Sequence, residues 1–325
     1  MPSAEPIEYA ARVLHDPRPA SASYSGETFS GLWFRQRAYV RFYLSQPERA
    51  AIDVAIMRRL DGHVPLPKIL TSSVYASGGL PPHIITEAVG GQRADVVLRG
   101  GLTPPAARAL GRQCARVVAV LRAQTLEHAG PLADPSFAVG SWPRHLRSLR
   151  ALATHLKPQL TEALGEEALA GLRSMLAAAD ARLSGSADQL PTLVHGDLSG
   201  KNLIVDGSTG RLRAVLDWEY AHAGDWATDL GNLMRGVDDA MTGDTNPEGY
   251  AAYRQALVDG VHENLHTEGR LSSLGDQRWL RRAADLDLFS LLELAARPTP
   301  AAGASEPVRQ ARQVLLERLA ERRHG

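Results

Sequence analysis

The chain has 325 residues and carries 36 basic and 36 acidic side chains, a formal charge of zero with histidine neutral. That length allows one large or two smaller domains with a sizeable core, and the charge balance excludes a general nucleic-acid binder, which needs a basic surplus. The single cysteine, Cys114, excludes an internal disulfide and fits a reducing cytoplasm. Met1–Glu5 shows no charged start followed by an apolar stretch, and no run of ~18 apolar residues occurs, so neither a signal peptide nor a membrane span is expected.

In chain order, residues 1–20 read as a short helix and an extended arm. Residues 22–45 alternate and are rich in aromatic and β-branched types, which predicts two strands around a turn. Pro47 to Leu60 reads as a helix with Ala51, Ile52, Ala55, Ile56 and Leu60 on one face, stopped by Pro65 and Pro67. Residues 68–75 and 82–87 read as two more strands around Gly78-Gly79. Gly90-Gly91 ends a connecting hinge. From Pro104 to Glu127, apolar Ala107, Leu110, Cys114, Val117 and Leu121 recur at three and four, an amphipathic helix. Residues 142–184 predict two further helices. After Asp229 the pattern is mostly helical, with breaks at Gly243–Gly249 and Arg297–Glu306.

The segment Val194-His195-Gly196-Asp197-Leu198-Ser199-Gly200-Lys201-Asn202 precedes the apolar run Leu203–Val205, which reads as a strand. Fifteen positions after Asn202 comes Asp217-Trp218-Glu219. Phosphoryl transfer from ATP needs such groups: a carboxylate to take the proton of the attacking hydroxyl, and an amide oxygen with a second carboxylate to hold Mg²⁺ against the phosphates. The order and spacing match the catalytic Asp, its Asn and the metal-binding Asp of kinases.

These residues resemble the aminoglycoside phosphotransferase family of small-molecule kinases. The downstream Gly224-Asp225-Trp226-Ala227-Thr228-Asp229-Leu230 is similar to that family's Gly-Asp-Pro-x-x-Asp-Leu, with Trp226 in place of Pro. Protein kinases match less well, since this chain has neither His-Arg-Asp nor Asp-Phe-Gly nor Ala-Pro-Glu. The resemblance implies an α+β, two-lobed protein-kinase-like fold. Residues 1–88 would form a nucleotide-binding lobe, an antiparallel sheet with one helix. Residues 89–325 would form a mostly helical lobe with the catalytic loop and the substrate region.

On this reading Asp197 is the catalytic base, and Asn202 and Asp217 are the Mg²⁺ ligands. His195 belongs to the catalytic group as the residue that packs and orients the loop. Lys201 either reaches the γ-phosphate or stays solvated. Arg41, in Ala38–Phe42, stands where protein kinases place a lysine over the ATP phosphates, and arginine grips phosphate bidentately. Its acidic partner is expected from the following helix, as Asp53 or alternatively Glu48. Ser25–Gly31 is expected as a loop above the phosphates, with Ser25, Gly26, Thr28 and Ser30 as its contacts. The hinge Thr86, Glu87, Ala88 and Val89 would offer its backbone to the adenine edge. Asp225 and Asp229 are expected to brace the catalytic loop.

Between Val215 and Pro300 the chain holds fifteen Asp and Glu against seven Arg and no Lys. That excess of eight suggests an acidic cleft attracting a polycation, such as an aminoglycoside or a tuberactinomycin-type peptide antibiotic. Glu219, Asp238, Asp239, Asp285, Asp287 and Glu293 are the candidate contacts. A metabolic kinase of choline, homoserine or sugar type and a regulatory pseudokinase remain alternatives. The protein is expected to act in the cytoplasm as a monomer or weak homodimer, without nucleic-acid or membrane partners.

Overall fold

The computed structural model describes residues 6–22, 26–184, 190–238, 246–267, 278–299 and 305–324. A short helix α1 (Pro6–Ala11) leads into strands β1 (His15–Ala22), β2 (Gly26–Trp33) and β3 (Gln36–Tyr43), helix α2 (Arg49–Leu60), and strands β4 (Ile69–Ser73) and β5 (His83–Glu87). The five strands form one antiparallel sheet in the order β1-β2-β3-β5-β4. One face buries Phe29, Val40, Phe42 and Ile85 against Ala10 and Leu14. The other buries Tyr43 and Ile84 against Ala50 and Val54 of α2. Successive side chains of a strand point to opposite faces, so Arg41 shares the α2 side with Tyr43.

Residues 15–20, expected as part of an extended arm, pair with β2 as β1. Pro17 and Pro19 argue against a strand locally, but proline is tolerated on an edge where no ladder donor is needed. β1 is an edge, and its pairing shifts register twice.

The remainder is mostly helical. It contains β6 (Gln92–Arg93), α3 (Ala94–Arg99), α4 (Pro104–Arg122), β7 (Gly130–Pro131), α5 (Leu149–His155), α6 (Lys157–Leu164) and α7 (Glu166–Ser184). Then come β8 (Thr192–Val194), β9 (Leu203–Val205), β10 (Leu212–Val215), β11 (His222–Gly224), α8 (Ala227–Asp238), α9 (Pro247–Thr267), α10 (Arg278–Ala295) and α11 (Glu306–His324). Helix α4 stops five residues before Glu127 because the following chain is recruited elsewhere. Gln124 O accepts from Leu193 N, and Leu126 N donates to Pro191 O. Residues 142–184 hold three α-helices rather than two. Pro158 is tolerated only in a first turn, and Gly165 at φ +86° interrupts the chain before α7.

Two cores result. One joins α3, α4, α8 and α9 to the strands around residues 193–215. A second is built by α5, α6, α7, α10 and α11 around Leu160, Leu172, Leu176, Leu291 and Leu315. No helix among the described residues is long and apolar enough to cross a membrane.

Candidate active site

Two small sheets hold the segment from Val194 to Asp217. β8 pairs with β11, which pairs with β7. β9 lies between β10 and β6. Asp197 therefore leaves the end of β8, Asn202 enters β9 and Asp217 leaves β10. Gly196 sits between them at φ +82°, where a Cβ would fall 2.4 Å from the Tyr220 carbonyl oxygen. Only glycine fits that turn.

Asp229 braces the turn from α8. Its carboxylate accepts from His195 N (2.9 Å) and Gly196 N (3.0 Å) and is 1% exposed. Burial pushes its pKa up to about 6, against the opposing pull of His195 and the two amides. Asp225, the other expected brace, pairs with Arg282 and caps Ala227 N.

His195 is fully buried, with its ring 4.5 Å from that of Trp218. Its Nδ1 accepts from Asp197 N (3.3 Å), which leaves Nε2–H to donate to Leu216 O (2.9 Å). The Asn202 carbonyl accepts from Leu216 N (2.8 Å). Leu216, the residue before Asp217, is thus clamped through both its N–H and its carbonyl. Asp217 itself sits at φ +62°, a left-handed conformation that costs a non-glycine residue energy and tends to mark functional positions.

The Asn202 side chain donates Nδ2 to Asp197 O (2.9 Å) and to Asp197 Oδ2 (3.1 Å). Its amide oxygen and the Asp217 carboxylate are the oxygen donors that a cation here would take. Both are hard oxygen donors of the kind Mg²⁺ takes. Among the described residues no three His, Cys, Asp or Glu side chains form a metal cluster, so a cation here would complete its shell from phosphate oxygens and water. Lys201 is half exposed and its Nζ lies 2.8 Å from Asp197 Oδ2.

Arg41 reaches the same place from β3. Nη1 contacts Asp217 Oδ1 at 2.5 Å and Nη2 contacts Glu219 Oε2 at 2.7 Å. Burial opposes its charge, but Asp217, Tyr43 and Glu219 more than compensate and hold the guanidinium firmly protonated. The expected partnership with Asp53 is corrected by the structure. Asp53 accepts from Arg49 Nε (2.7 Å) and Tyr43 Oη (2.7 Å), and Glu48 is exposed. Arg49 in turn donates to the carbonyls of Trp218 and Ala221, tying α2 to the Asp217–Glu219 segment. Sequence reasoning missed Arg49. Its signal was the Arg49–Asp53 spacing of four on one helix face.

The expected phosphate loop is only partly described. Gly26 to Gly31 is strand, with Thr28 opposite Arg41 and Ser30 Oγ bonded to Arg18 O. Ser25 lies outside the described residues. At the hinge, the Glu87 amide pairs with Lys68 O and the Ala88 amide with Arg37 O. Thr86 belongs to β5, and a cavity of about 350 Å³ opens against Glu87–Gly90, Pro65 and Arg211–Arg213.

The substrate expectations fare unevenly. Glu219 is 5% exposed and bound to Arg41. Asp285 is held bidentately by Arg182 at 2.7 Å, and Asp287, 2% exposed, lies between Arg235 and Arg318. Asp285 and Asp287 are thus committed to buried ion pairs, and Glu219 to Arg41 beside Asp217. The Asp238 side chain and Asp239 lie outside the described residues. Glu293 is exposed on α10. Of the fifteen acids in residues 215–300, six (Asp217, Glu219, Asp225, Asp229, Asp285 and Asp287) are satisfied internally. Five of them pair with arginines, of which Arg41, Arg182 and Arg318 lie outside that window, so the excess among the nine acids and five arginines that remain falls from eight to four. Tyr220, 40% exposed and following Glu219, was not anticipated as part of the site.

The sequence profile of the phosphotransferase enzyme family, APH, matches residues 18–271. None of the curated proteins matches the chain in sequence. Among solved structures it is similar to aminoglycoside 2′-phosphotransferase-IIIa in its GDP complex, at 15% identity and TM-score 0.63, over 98% of this chain and 100% of that one. The GDP and kanamycin complex of APH(2″)-IIIa gives 17% identity and TM-score 0.64 over 97% and 99%. A thermostable mutant of APH(4)-Ia with ADP and hygromycin B gives 17% identity and TM-score 0.61 over 98% of each chain. At these identities the likeness is one of fold.

Proposed function

For a chain that belongs to the APH phosphotransferase enzyme family, we propose an ATP- and Mg²⁺-dependent kinase that phosphorylates a hydroxyl of a small molecule. One observation carries the reading. Asn202 spends its amide nitrogen on Asp197 and its backbone carbonyl on the peptide before Asp217, so base and metal ligand are held in one rigid unit. Asp197 accepts the proton of the attacking hydroxyl, oriented by Asn202 and by the amide contact to His195. Bound Mg²⁺ would neutralise charge on the transferring phosphoryl group, held by Asp217 and Asn202. Lys201 shields Asp197 until its charge is lost to the proton, and then faces the departing negative charge. Arg41 grips the phosphates.

The acceptor class we put forward is a small cationic antibiotic, an aminoglycoside or tuberactinomycin-type peptide, with resistance as the consequence. Exposed Glu293 and the 238–239 segment supply its acidic contacts. The internal pairing of six acids favours a second reading, a metabolic kinase of choline, homoserine or sugar type. The test incubates purified protein with ATP and Mg²⁺ against panels of both kinds and reads phosphorylated product by mass spectrometry. Inhibitory concentrations for a susceptible bacterium expressing the chain are measured in parallel. Product from the antibiotic panel with raised inhibitory concentrations supports the first reading, and product only from metabolites the second. Nucleotide binding without turnover on any acceptor replaces both with a pseudokinase.

A further inference from the structure

The arginine that reaches the phosphates needs a carboxylate to aim it, and the helix after β3 does not provide one. Both Asp53 oxygens are committed, Oδ1 to Arg49 and Oδ2 to Tyr43, in a buried triad. Withdrawing Asp53 would leave the Arg49 guanidinium buried without its charge partner, which is costly. Arg49 is also fixed by two carbonyls of the segment that carries Glu219. The guanidinium of Arg41 spans two carboxylates from that segment. They differ in kind. Asp217 is 27% exposed, while Glu219 is 5% exposed.

Resting on the phosphotransfer reading above, we propose that Glu219 is the positioning residue for Arg41 in nucleotide binding, in place of an acid on α2. Once Asp217 turns to a cation, Arg41 loses the contact at Nη1 and keeps the one at Nη2. The N–H edge that Asp217 releases then faces the phosphates, with the orientation held by Glu219. The arrangement makes nucleotide and cation binding cooperative, because Arg41 and the cation compete for Asp217 while Glu219 retains the arginine in the cleft.

Glu219→Gln removes the charge at constant shape. Affinity for ATP and for a non-hydrolysable analogue is measured calorimetrically with and without Mg²⁺, beside steady-state kinetics and thermal melting. Affinity for Mg²⁺·ATP should weaken about ten-fold, the scale of one charge-assisted hydrogen bond. KM for ATP should rise with it, while acceptor KM and melting temperature hold. Combining Glu219→Gln with Arg41→Gln should be no weaker than Arg41→Gln alone, because the two act through one contact. Asp53→Asn should lower the melting temperature and leave nucleotide affinity within about two-fold. If Glu219→Gln does not fold, Glu219→Asp carries the test, with a smaller loss in the same direction. Unchanged nucleotide affinity in the Glu219 variant, additivity with Arg41→Gln, or an equal loss from Asp53→Asn overturns the proposal. Wild-type protein that binds no nucleotide sinks the phosphotransfer reading and this inference with it. Wild-type protein that transfers phosphate while the Glu219 variant keeps full affinity sinks this inference alone.

Discussion

The cleft and the helical layer of α5–α7, α10 and α11 both contain arginine–carboxylate pairs, and the pairs are built differently. In the helical layer, Asp285 and Asp287 are buried and their partners Arg182, Arg235 and Arg318 lock helices to one another. In the cleft, Asp217 and Asp197 are 27% and 18% exposed and meet Arg41 and Lys201, cations that on the proposed reading also serve the phosphates. A buried pair fixes packing and is expensive to break. A pair whose carboxylate is partly exposed is less costly to exchange for a ligand. The difference separates structural acids from working ones where the residue types are identical.

The largest effect that sharpens this contrast is expected at Asp287. Asp287→Ala removes the buried carboxylate shared by Arg235 and Arg318 and should cost about 3 kcal/mol in urea denaturation, with acceptor KM of the folded protein unchanged. A change in acceptor KM at constant stability would return Asp287 to the cleft. Next comes Asp197→Ala, which should lower turnover at least ~10²-fold, about 3 kcal/mol of barrier. Melting temperature and ATP affinity should barely move, and a variant with near wild-type turnover would remove Asp197 from the mechanism.

Asp229 stands between the two kinds, buried like the helical acids yet serving the catalytic turn. Its pKa is raised from the ordinary value to about 6. The folded protein therefore holds this proton more tightly than the unfolded chain, and the associated stability is present below pH ~4 and lost as pH rises through about 6. Against Asp229→Asn, which lacks that titration, wild-type stability should fall by up to ~3 kcal/mol across the window, seen in denaturation midpoints. Turnover should move the other way and rise with pH, as the ionised carboxylate accepts both backbone N–H groups. Equal slopes for the two proteins would show that Asp229 does not titrate there.

The smallest effect concerns salt. With internal pairing reducing the acid excess of residues 215–300 to four, KM for a cationic acceptor should rise about two-fold between ~20 and ~300 mM salt. A KM flat across that range would remove the acidic contacts proposed at Glu293 and residues 238–239.

Much of the fold was legible because strong local signals agreed with the tertiary answer. The alternation of residues 26–43 and the three-and-four periodicity of α4 each survive as the elements they suggest. β1 was not legible, because two prolines outweighed a pairing that only an edge position permits. The end of α4 and the split of residues 142–184 were missed for related reasons, a long-range pairing with residues 191–193 in one case and Pro158 with Gly165 in the other. At the site, the Asp197, Asn202 and Asp217 spacing was visible in the chain because one loop and one hairpin deliver all three.

What the sequence determined by itself is the grouping of Asp197, Asn202 and Asp217, since it is local and the turn at Gly196 admits no other residue. What only the tertiary structure decided is which carboxylate meets which cation. Arg41 chooses Glu219, 178 positions away, over Asp53, 12 positions away, because Arg49 and Tyr43 had already claimed Asp53. Charge alone does not rank such partners. Burial and hydrogen-bond geometry do, and both arise only when distant segments pack.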